Sequence, residues 1–139
     1  MPDCNEAKMW INLAKRDESI ASHLKDTFVP LPVETICFHC QQAVEKALKA
    51  VLALYEDDIP KTHNIRALTE LCKSHIKDTL IDDKVVDTIT AFAVITRYIE
   101  DRRDFTSDTA NFALKYAAQT LKNVMQALGL SDTGLEEAP

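Results

Sequence analysis

Hydrophobic residues recur every three or four positions along most of the chain, a spacing typical of helices that bury one face. This periodicity predicts a first helix over about residues 6–25 and a second over about 33–55. It also predicts a short third helix over about 64–74, a fourth over about 82–95 and a last over about 107–128. In each of the first three helices, one set of apolar residues is expected to face inward. The set is Trp10, Leu13, Ala14, Ile20, Ala21 and Leu24 in the first helix, Ile36, Cys40, Ala43, Val44, Ala47, Val51 and Leu54 in the second, and Ile65, Leu68 and Leu71 in the third.

Residues that break or cap helices lie between these segments. Pro30 and Pro32 separate the first two helices, and Pro60 prevents the second from continuing. Gly129 followed by Leu130 is typical of a left-handed helix stop. The expected N-caps are Thr62 or Asn64 for the third helix and Ser107 or Asp108 for the last.

We therefore predict an all-α fold, an antiparallel up-and-down bundle of four longer helices plus one short helix. The chain has 139 residues, which is enough for one domain with a full hydrophobic core. Residues 1–130 are expected to form that single domain. Residues 131–139 are acidic and are expected to be a disordered tail.

Composition and charge narrow the classes of function. A net charge of −6 argues against sequence-independent binding of nucleic acid. No apolar run approaches the roughly 18 residues of a membrane span, and the N-terminus lacks the features of a secretory signal. The four cysteines form no dense disulfide framework, so reduced thiols and a cytoplasmic location are expected.

Two pairs of residues have the spacing of zinc ligands. Cys37 and Cys40 form a C-x-x-C pair, and Cys72 and His75 form a C-x-x-H pair. Both pairs fall inside predicted helices, and Cys40 lies on the apolar face, where cysteine behaves as a small hydrophobe. We therefore interpret them as core or helix-surface residues and expect no metal. The chain also lacks a glycine-rich phosphate loop and the context of a serine triad, so no cofactor or catalytic residue is assigned.

Polar residues repeat at helical spacing along one flank of the second helix, with a further polar line beside them. The flank comprises His39, Gln42, Lys46 and Lys49, and the adjacent line includes Gln41 and Glu45. One interpretation is a solvated face, on which the Glu45–Lys49 pair would contribute about 0.3–0.5 kcal/mol. The other is a ligand-binding wall completed by Thr62-His63-Asn64 and Thr96-Arg97-Tyr98, whose side chains can donate to phosphate or ribose.

The same segments resemble a known family. Residues 38–50, FHCQQAVEKALKA, closely resemble the F-H-A-Q-Q-A-x-E-K-x-L-K-A signature of HEPN domains. Residues 60–65, PKTHNI, resemble the family's P-x-T-H-x-L segment, and Thr96-Arg97-Tyr98 its T-R-Y-P segment, with Ile99 in place of the proline. The resemblance covers about residues 6–128 in the family's order.

This resemblance implies a helical bundle that forms homodimers, of the small prokaryotic type that works with a separate minimal nucleotidyltransferase. It also implies binding of a nucleotide of the ATP or GTP type, and a place in a toxin–antitoxin pair. Ribonuclease members carry an arginine followed four to six residues later by a histidine. Arg97 stands in that region, but residues 98–105 contain no histidine, so an enzyme is not expected. Two alternatives stay open: a ribonuclease toxin with an atypical site that acts on RNA, and an interaction module without a ligand.

The matched segments suggest a role for each polar residue. The expected phosphate ligands are Lys46, Lys49 and Arg97, the permanent cations of those segments. The expected orienting hydrogen bonds to the nucleotide come from Gln41, Gln42 and His63, and Tyr98 is expected to stack on a base. Structural or orienting roles are assigned to His39, Glu45 and Thr62. Alternatively, part of the motif holds the helices together, with Glu45 paired to Arg97.

Overall fold

The computed structural model describes residues 4–55, 58–76 and 106–130. Within these ranges every regular element is a helix, and no strand occurs. The helices are α1 (Cys4–Thr27), α2 (Val33–Leu54), α3 (Ile65–Cys72) and α4 (Ser107–Ala127). The all-helical prediction is therefore confirmed for this part of the chain. The helix predicted over 82–95, the segment Thr96-Arg97-Tyr98 and the acidic tail 131–139 lie outside the described residues.

Helix α2 lies at the centre of the packing, because it contacts α1, α3 and α4. Its sequence is rich in alanine, leucine, lysine, glutamate and glutamine, all good helix formers. Small side chains let the neighbouring helices approach closely on several sides. The fully buried alanines at these contacts include Ala14, Ala43, Ala47, Ala50, Ala110, Ala113 and Ala117. As a result α2 has buried residues around most of its circumference, and the run from Ala47 to Ala53 is buried at every position.

Helix α3 begins at the cap expected from the sequence. The Asn64 side chain accepts a hydrogen bond from the Ala67 backbone N–H at 3.2 Å, and Thr62 Oγ1 accepts one from the Asn64 N–H at 3.1 Å. Of the two expected caps, Asn64 is the N-cap, and Thr62 fixes the turn that leads to it. This pair of bonds sets the path of the 58–64 loop as it enters α3.

Helix α4 spans about the range expected from the sequence, but its N-cap lies one residue earlier than expected. Its N-cap is Thr106 rather than Ser107 or Asp108, and the Thr106 N–H donates to Thr109 Oγ1 at 3.1 Å. At the C-terminus, Gly129 has φ 69°, a backbone conformation that strongly favours glycine. The Leu130 N–H donates to Met125 O at 2.8 Å and the Gly129 N–H donates to Gln126 O at 3.1 Å, which is the Schellman arrangement.

Two residues expected to face inward are exposed. Ile20 is 36% exposed because the buried stripe of α1 follows Ala7, Ile11, Ala14, Asp17 and Ala21, so that Ile20 lies at its edge. Leu71 is 47% exposed because α3 buries the side that carries Ile65, Leu68 and Cys72. Leu54 is half-buried. The remaining expected core positions in α1–α3 are buried or half-buried.

Candidate functional site

Two carboxylates are buried in the described part of the chain, and each is shared by one histidine and one lysine. Asp17 of α1 is 7% exposed and Glu45 of α2 is 2% exposed. One oxygen of each carboxylate contacts a histidine Nδ1, and the other contacts a lysine Nζ. We call Asp17, His39 and Lys46 the Asp17 cluster, and Glu45, His63 and Lys49 the Glu45 cluster.

The Asp17 cluster connects α1 to α2. Asp17 Oδ1 lies 2.8 Å from His39 Nδ1, and Asp17 Oδ2 lies 2.5 Å from Lys46 Nζ. Residues 39 and 46 are two helical turns apart, so both side chains project from the same flank of α2 toward α1. Their side chains are 22% and 23% exposed, while the carboxylate is 10% exposed. The cluster therefore lies at the rim of the α1–α2 interface.

The Glu45 cluster connects α2 to the loop that precedes α3. Glu45 Oε1 lies 2.9 Å from His63 Nδ1, and Glu45 Oε2 lies 3.2 Å from Lys49 Nζ. The Gln41 amide donates to Glu45 Oε1 at 3.4 Å and to the His63 carbonyl at 3.3 Å. Gln41, Glu45 and Lys49 are spaced four residues apart and form one polar line along α2. Because all three are buried, the interpretation of this line as a solvated face is wrong.

Burial makes the two carboxylates and their cations interdependent. Lys49 is only 8% exposed, and a charge at such a depth is costly unless it is paired and hydrogen-bonded. Glu45 supplies the counter-charge, and the Trp10 ring centroid lies 5.5 Å from Lys49 Nζ, where the face of an aromatic ring attracts a cation. Within the described residues, Glu45 is thus paired with Lys49 and His63; the alternative partner Arg97 lies outside them.

The carboxylates also determine which tautomer the two neutral histidine rings adopt. An ionised carboxylate only accepts hydrogen bonds, so the Nδ1 atoms of His39 and His63 each carry a hydrogen. In the neutral ring this leaves the lone pair on Nε2. In each neutral ring, Nε2 is therefore the nitrogen that can act as an acceptor or nucleophile.

Two buried polar atoms near the Glu45 cluster have no hydrogen-bond partner in the described part of the chain. They are Gln41 Oε1 and Trp10 Nε1. The orientation of the Gln41 amide is determined, because its nitrogen faces two acceptors, Glu45 and the His63 carbonyl. A buried carbonyl or N–H without a partner costs about 1–3 kcal/mol. Both atoms belong to residues whose side chains contact Glu45 or Lys49.

The three described cysteines, Cys37, Cys40 and Cys72, are buried core residues. Burial, reinforced by the charge of Glu34, raises the pKa of Cys37 to about 12. Burial is also the main cause that raises the pKa of Cys40. Cys72 Sγ donates to the Leu48 carbonyl at 3.3 Å, and the His75 ring stacks on Tyr55 with centroids 4.0 Å apart. Among the described residues, no group of three or more potential ligands is placed to hold a metal.

The structure groups the sequence-predicted site residues in two sets. Glu45, Lys49 and His63 form the Glu45 cluster, to which Gln41 is hydrogen-bonded, whereas His39 and Lys46 belong to the Asp17 cluster. Gln42 is half-buried between them on α2, and Thr62 orients Asn64. Arg97 and Tyr98 lie outside the described residues, so their assignments stay predictions.

Asp17 is the residue that the sequence reasoning missed. Its signal was present, because Asp17 follows Ala14 by three residues and precedes Ala21 by four on the apolar stripe of α1. A carboxylate on a buried stripe requires a partner from another element. The cation-bearing flank of the next helix was the nearest candidate in the sequence.

Comparison with known proteins agrees with the helical architecture. The family model described as "HEPN domain" matches residues 7–127. The solved structure of TT1696 from Thermus thermophilus superimposes with a TM-score of 0.69 and 24% sequence identity, covering 88% of this chain and 98% of TT1696. At that identity the likeness concerns the fold. No curated protein sequence matches the chain significantly. Among the described helices, none is long and apolar enough to cross a membrane.

The buried pairing of Glu45 predicts a large effect of removing its charge. Glu45→Gln leaves the Lys49 ammonium buried without a counter-charge, and we expect the free energy of unfolding to fall by about 3–5 kcal/mol. Urea denaturation followed by circular dichroism measures this change. Glu70→Gln is the matched control, because it breaks the Glu70–Lys73 pair (2.8 Å) on the exposed side of α3 and is expected to change little. Equal losses in the two variants would contradict the role of Glu45 as a buried counter-ion.

The raised pKa of Cys37 and Cys40 predicts slow alkylation in the folded protein. The reactive species is the thiolate, and at neutral pH burial keeps both thiols protonated and out of contact with reagent. We expect iodoacetamide to modify Cys37, Cys40 and Cys72 only after urea unfolds the chain. Mass spectrometry on a Cys4→Ser background counts these three thiols alone. Rapid modification of Cys37 without urea would show that the α2 core opens readily.

Proposed function

Because the chain belongs to the HEPN domain family, we propose that it binds a nucleotide or nucleotidyl substrate and works with a separate minimal nucleotidyltransferase. The ligand is a nucleotide of the ATP or GTP type, held mainly through its phosphates. The protein is a homodimer and forms a toxin–antitoxin pair with its partner. The proposal rests on the family and on the arrangement of the matched residues.

The Glu45 cluster is the observation that supports nucleotide binding most directly. It joins α2 to the 58–64 loop, so that Lys49, Gln41 and His63 are gathered around one buried carboxylate although 22 residues separate Gln41 from His63. A cation, an amide and an imidazole in one place are the groups that bind phosphate and ribose oxygens. Lys46 projects from the neighbouring flank of the same helix.

Lys46 is the more accessible of the two lysines, and we assign it the first contact with phosphate. Its side chain is 23% exposed, against 10% for Lys49. Its partner Asp17 also holds His39, so the carboxylate keeps one hydrogen bond when the ammonium turns to an incoming phosphate. The remaining roles are phosphate binding by Lys49 and Arg97, orienting hydrogen bonds by Gln41, Gln42 and His63, base stacking by Tyr98, and support by His39, Glu45 and Thr62.

Calorimetric titration with ATP and GTP tests this assignment. We expect heat of binding with the unaltered protein and roughly tenfold weaker binding with Lys46→Gln, because a hydrogen bond to a charged group contributes about 1.5 kcal/mol or more. Glutamine retains a donor for Asp17, which limits the structural damage. Lys73→Gln is the control, since this variant also loses an ion pair, but Lys73 is the C-cap of α3 and belongs to neither cluster.

An absence of binding heat with both nucleotides would refute the proposal. So would equal affinities of Lys46→Gln and Lys73→Gln for the nucleotide, provided that circular dichroism shows both to be folded. Arg97→Ala extends the test to the segment outside the described residues and is expected to weaken binding in the same direction.

A second candidate function is an interaction module that tethers a partner without a ligand. It is favoured by the pairing of Lys46 with Asp17 and of Lys49 with Glu45, because the protein's own carboxylates already neutralise both cations. Co-purification with a nucleotidyltransferase, together with light scattering to determine the mass of the complex, is expected under both candidates. A complex whose affinity is unchanged in Lys46→Gln, with no calorimetric response to nucleotide, would favour the tethering function.

A further inference from the structure

His63 combines an exposed ring with a buried carboxylate. Its side chain is 70% exposed, whereas that of Glu45, bound to its Nδ1 at 2.9 Å, is 3% exposed. The backbone of the same residue is held by the Gln41 amide at 3.3 Å. The polar contacts of His63 with described residues are made by its Nδ1 and its backbone carbonyl. The ring is therefore held through Nδ1 by Glu45. In the neutral ring the lone pair is on Nε2, in a side chain that is mostly exposed to solvent.

We propose that Nε2 of His63 is a phosphoryl-acceptor site, which takes a phosphoryl group from a small phosphoramidate or acyl phosphate. This activity is separate from the binding of a nucleotide. The reaction uses only the imidazole as nucleophile and the buried carboxylate as its support, the arrangement by which proteins activate histidine.

The transfer balances without any redox step. The Nε2 lone pair attacks phosphorus, forming an N–P bond as the bond from phosphorus to the leaving amine or carboxylate breaks. The electron pair of the broken bond stays with the leaving group, which takes its proton from water when it is an amine. The hydrogen on Nδ1 remains on the ring and continues to donate to Glu45, so the carboxylate stabilises the positive charge that develops on the imidazole.

The position of His63 also suits the product. His63 immediately precedes Asn64, the N-cap of α3, where the helix dipole stabilises nearby negative charge. Lys61, an exposed cation, lies two residues before it. Lys49 binds the second oxygen of Glu45 and limits rotation of the carboxylate away from the ring.

The other described histidines lack this combination of features. His39 has a carboxylate on Nδ1, but its side chain is 22% exposed and its ring meets Phe38 edge-on. His75 is half-buried and stacks on Tyr55. His23 is exposed like His63, but no carboxylate holds its ring in the described part of the chain. His23 therefore serves as an internal control for the effect of Glu45.

Treatment with potassium phosphoramidate in mildly alkaline buffer, without nucleotide, tests the proposal. Peptide mass spectrometry over time is expected to show phosphorylation of His63 roughly tenfold faster than that of His23, because the hydrogen bond to Glu45 strengthens as the ring gains charge. The modification is expected to be labile in acid and stable in alkali. Acetyl phosphate, as an acyl phosphate, is expected to give the same order of sites.

Two variants complete the experiment. His63→Gln is expected to abolish the fast phase of phosphorylation, which is the modification of His63, and to leave the rate of phosphorylation at His23 unchanged. Glu45→Gln is expected to slow modification of His63 to the rate of His23. Because this variant also loses stability, the decisive comparison is between the rates at His63 and His23 in the unaltered protein. Equal rates at His63 and His23 would overturn the proposal, as would a fast phase that persists in His63→Gln. Since no nucleotide is present, either result is independent of the calorimetric test.

Discussion

The structure depends on how α2, a helix buried on most sides, accommodates its own charged residues. Because α2 contacts three other helices, its buried Glu45 and Lys49 cannot be solvated by water, so their charges must pair within the protein. Glu45 meets this requirement with Lys49 one turn further along α2 and with His63 from the loop. Asp17 brings the corresponding charge to Lys46 from α1. These contacts position the elements that carry the candidate site.

Sequence periodicity predicted the elements better than it predicted their surroundings. The described helices, the Asn64 cap and the Gly129 stop follow from local spacing and from backbone conformations that local residues favour. The number of helices around α2 is a property of the whole fold. For that reason the sequence left a solvated face open as one interpretation for Gln41 and Glu45, although both are buried. The stripe of α1 indicates that Asp17 is buried, but its partners lie 22 and 29 residues away in sequence, and no local pattern identifies them.

The proposed phosphate binding and the observed internal pairing place different demands on the same lysines. A phosphate site requires cations whose charge is available, whereas Lys46 and Lys49 already contact carboxylates. The two demands are compatible where a lysine can exchange one anion for another at small cost, which is easier for the more exposed Lys46 than for Lys49. Lys49 also lies beside the Trp10 ring and is held more deeply. A ligand that recruits both lysines must therefore reorganise the Glu45 cluster more than the Asp17 cluster.

The two clusters have the same set of contacts and differ in how far the histidine side chain is exposed. In each, a buried carboxylate divides its oxygens between a histidine Nδ1 and a lysine Nζ. In the Asp17 cluster all three side chains lie at a helix–helix rim, and the histidine is 22% exposed, as expected of a contact that holds α1 against α2. In the Glu45 cluster the carboxylate and lysine are buried while the histidine is 70% exposed on a loop. Packing alone does not require a buried carboxylate to orient an exposed ring. For this reason His63, rather than His39, is the histidine whose ring is both oriented and accessible to a reactant.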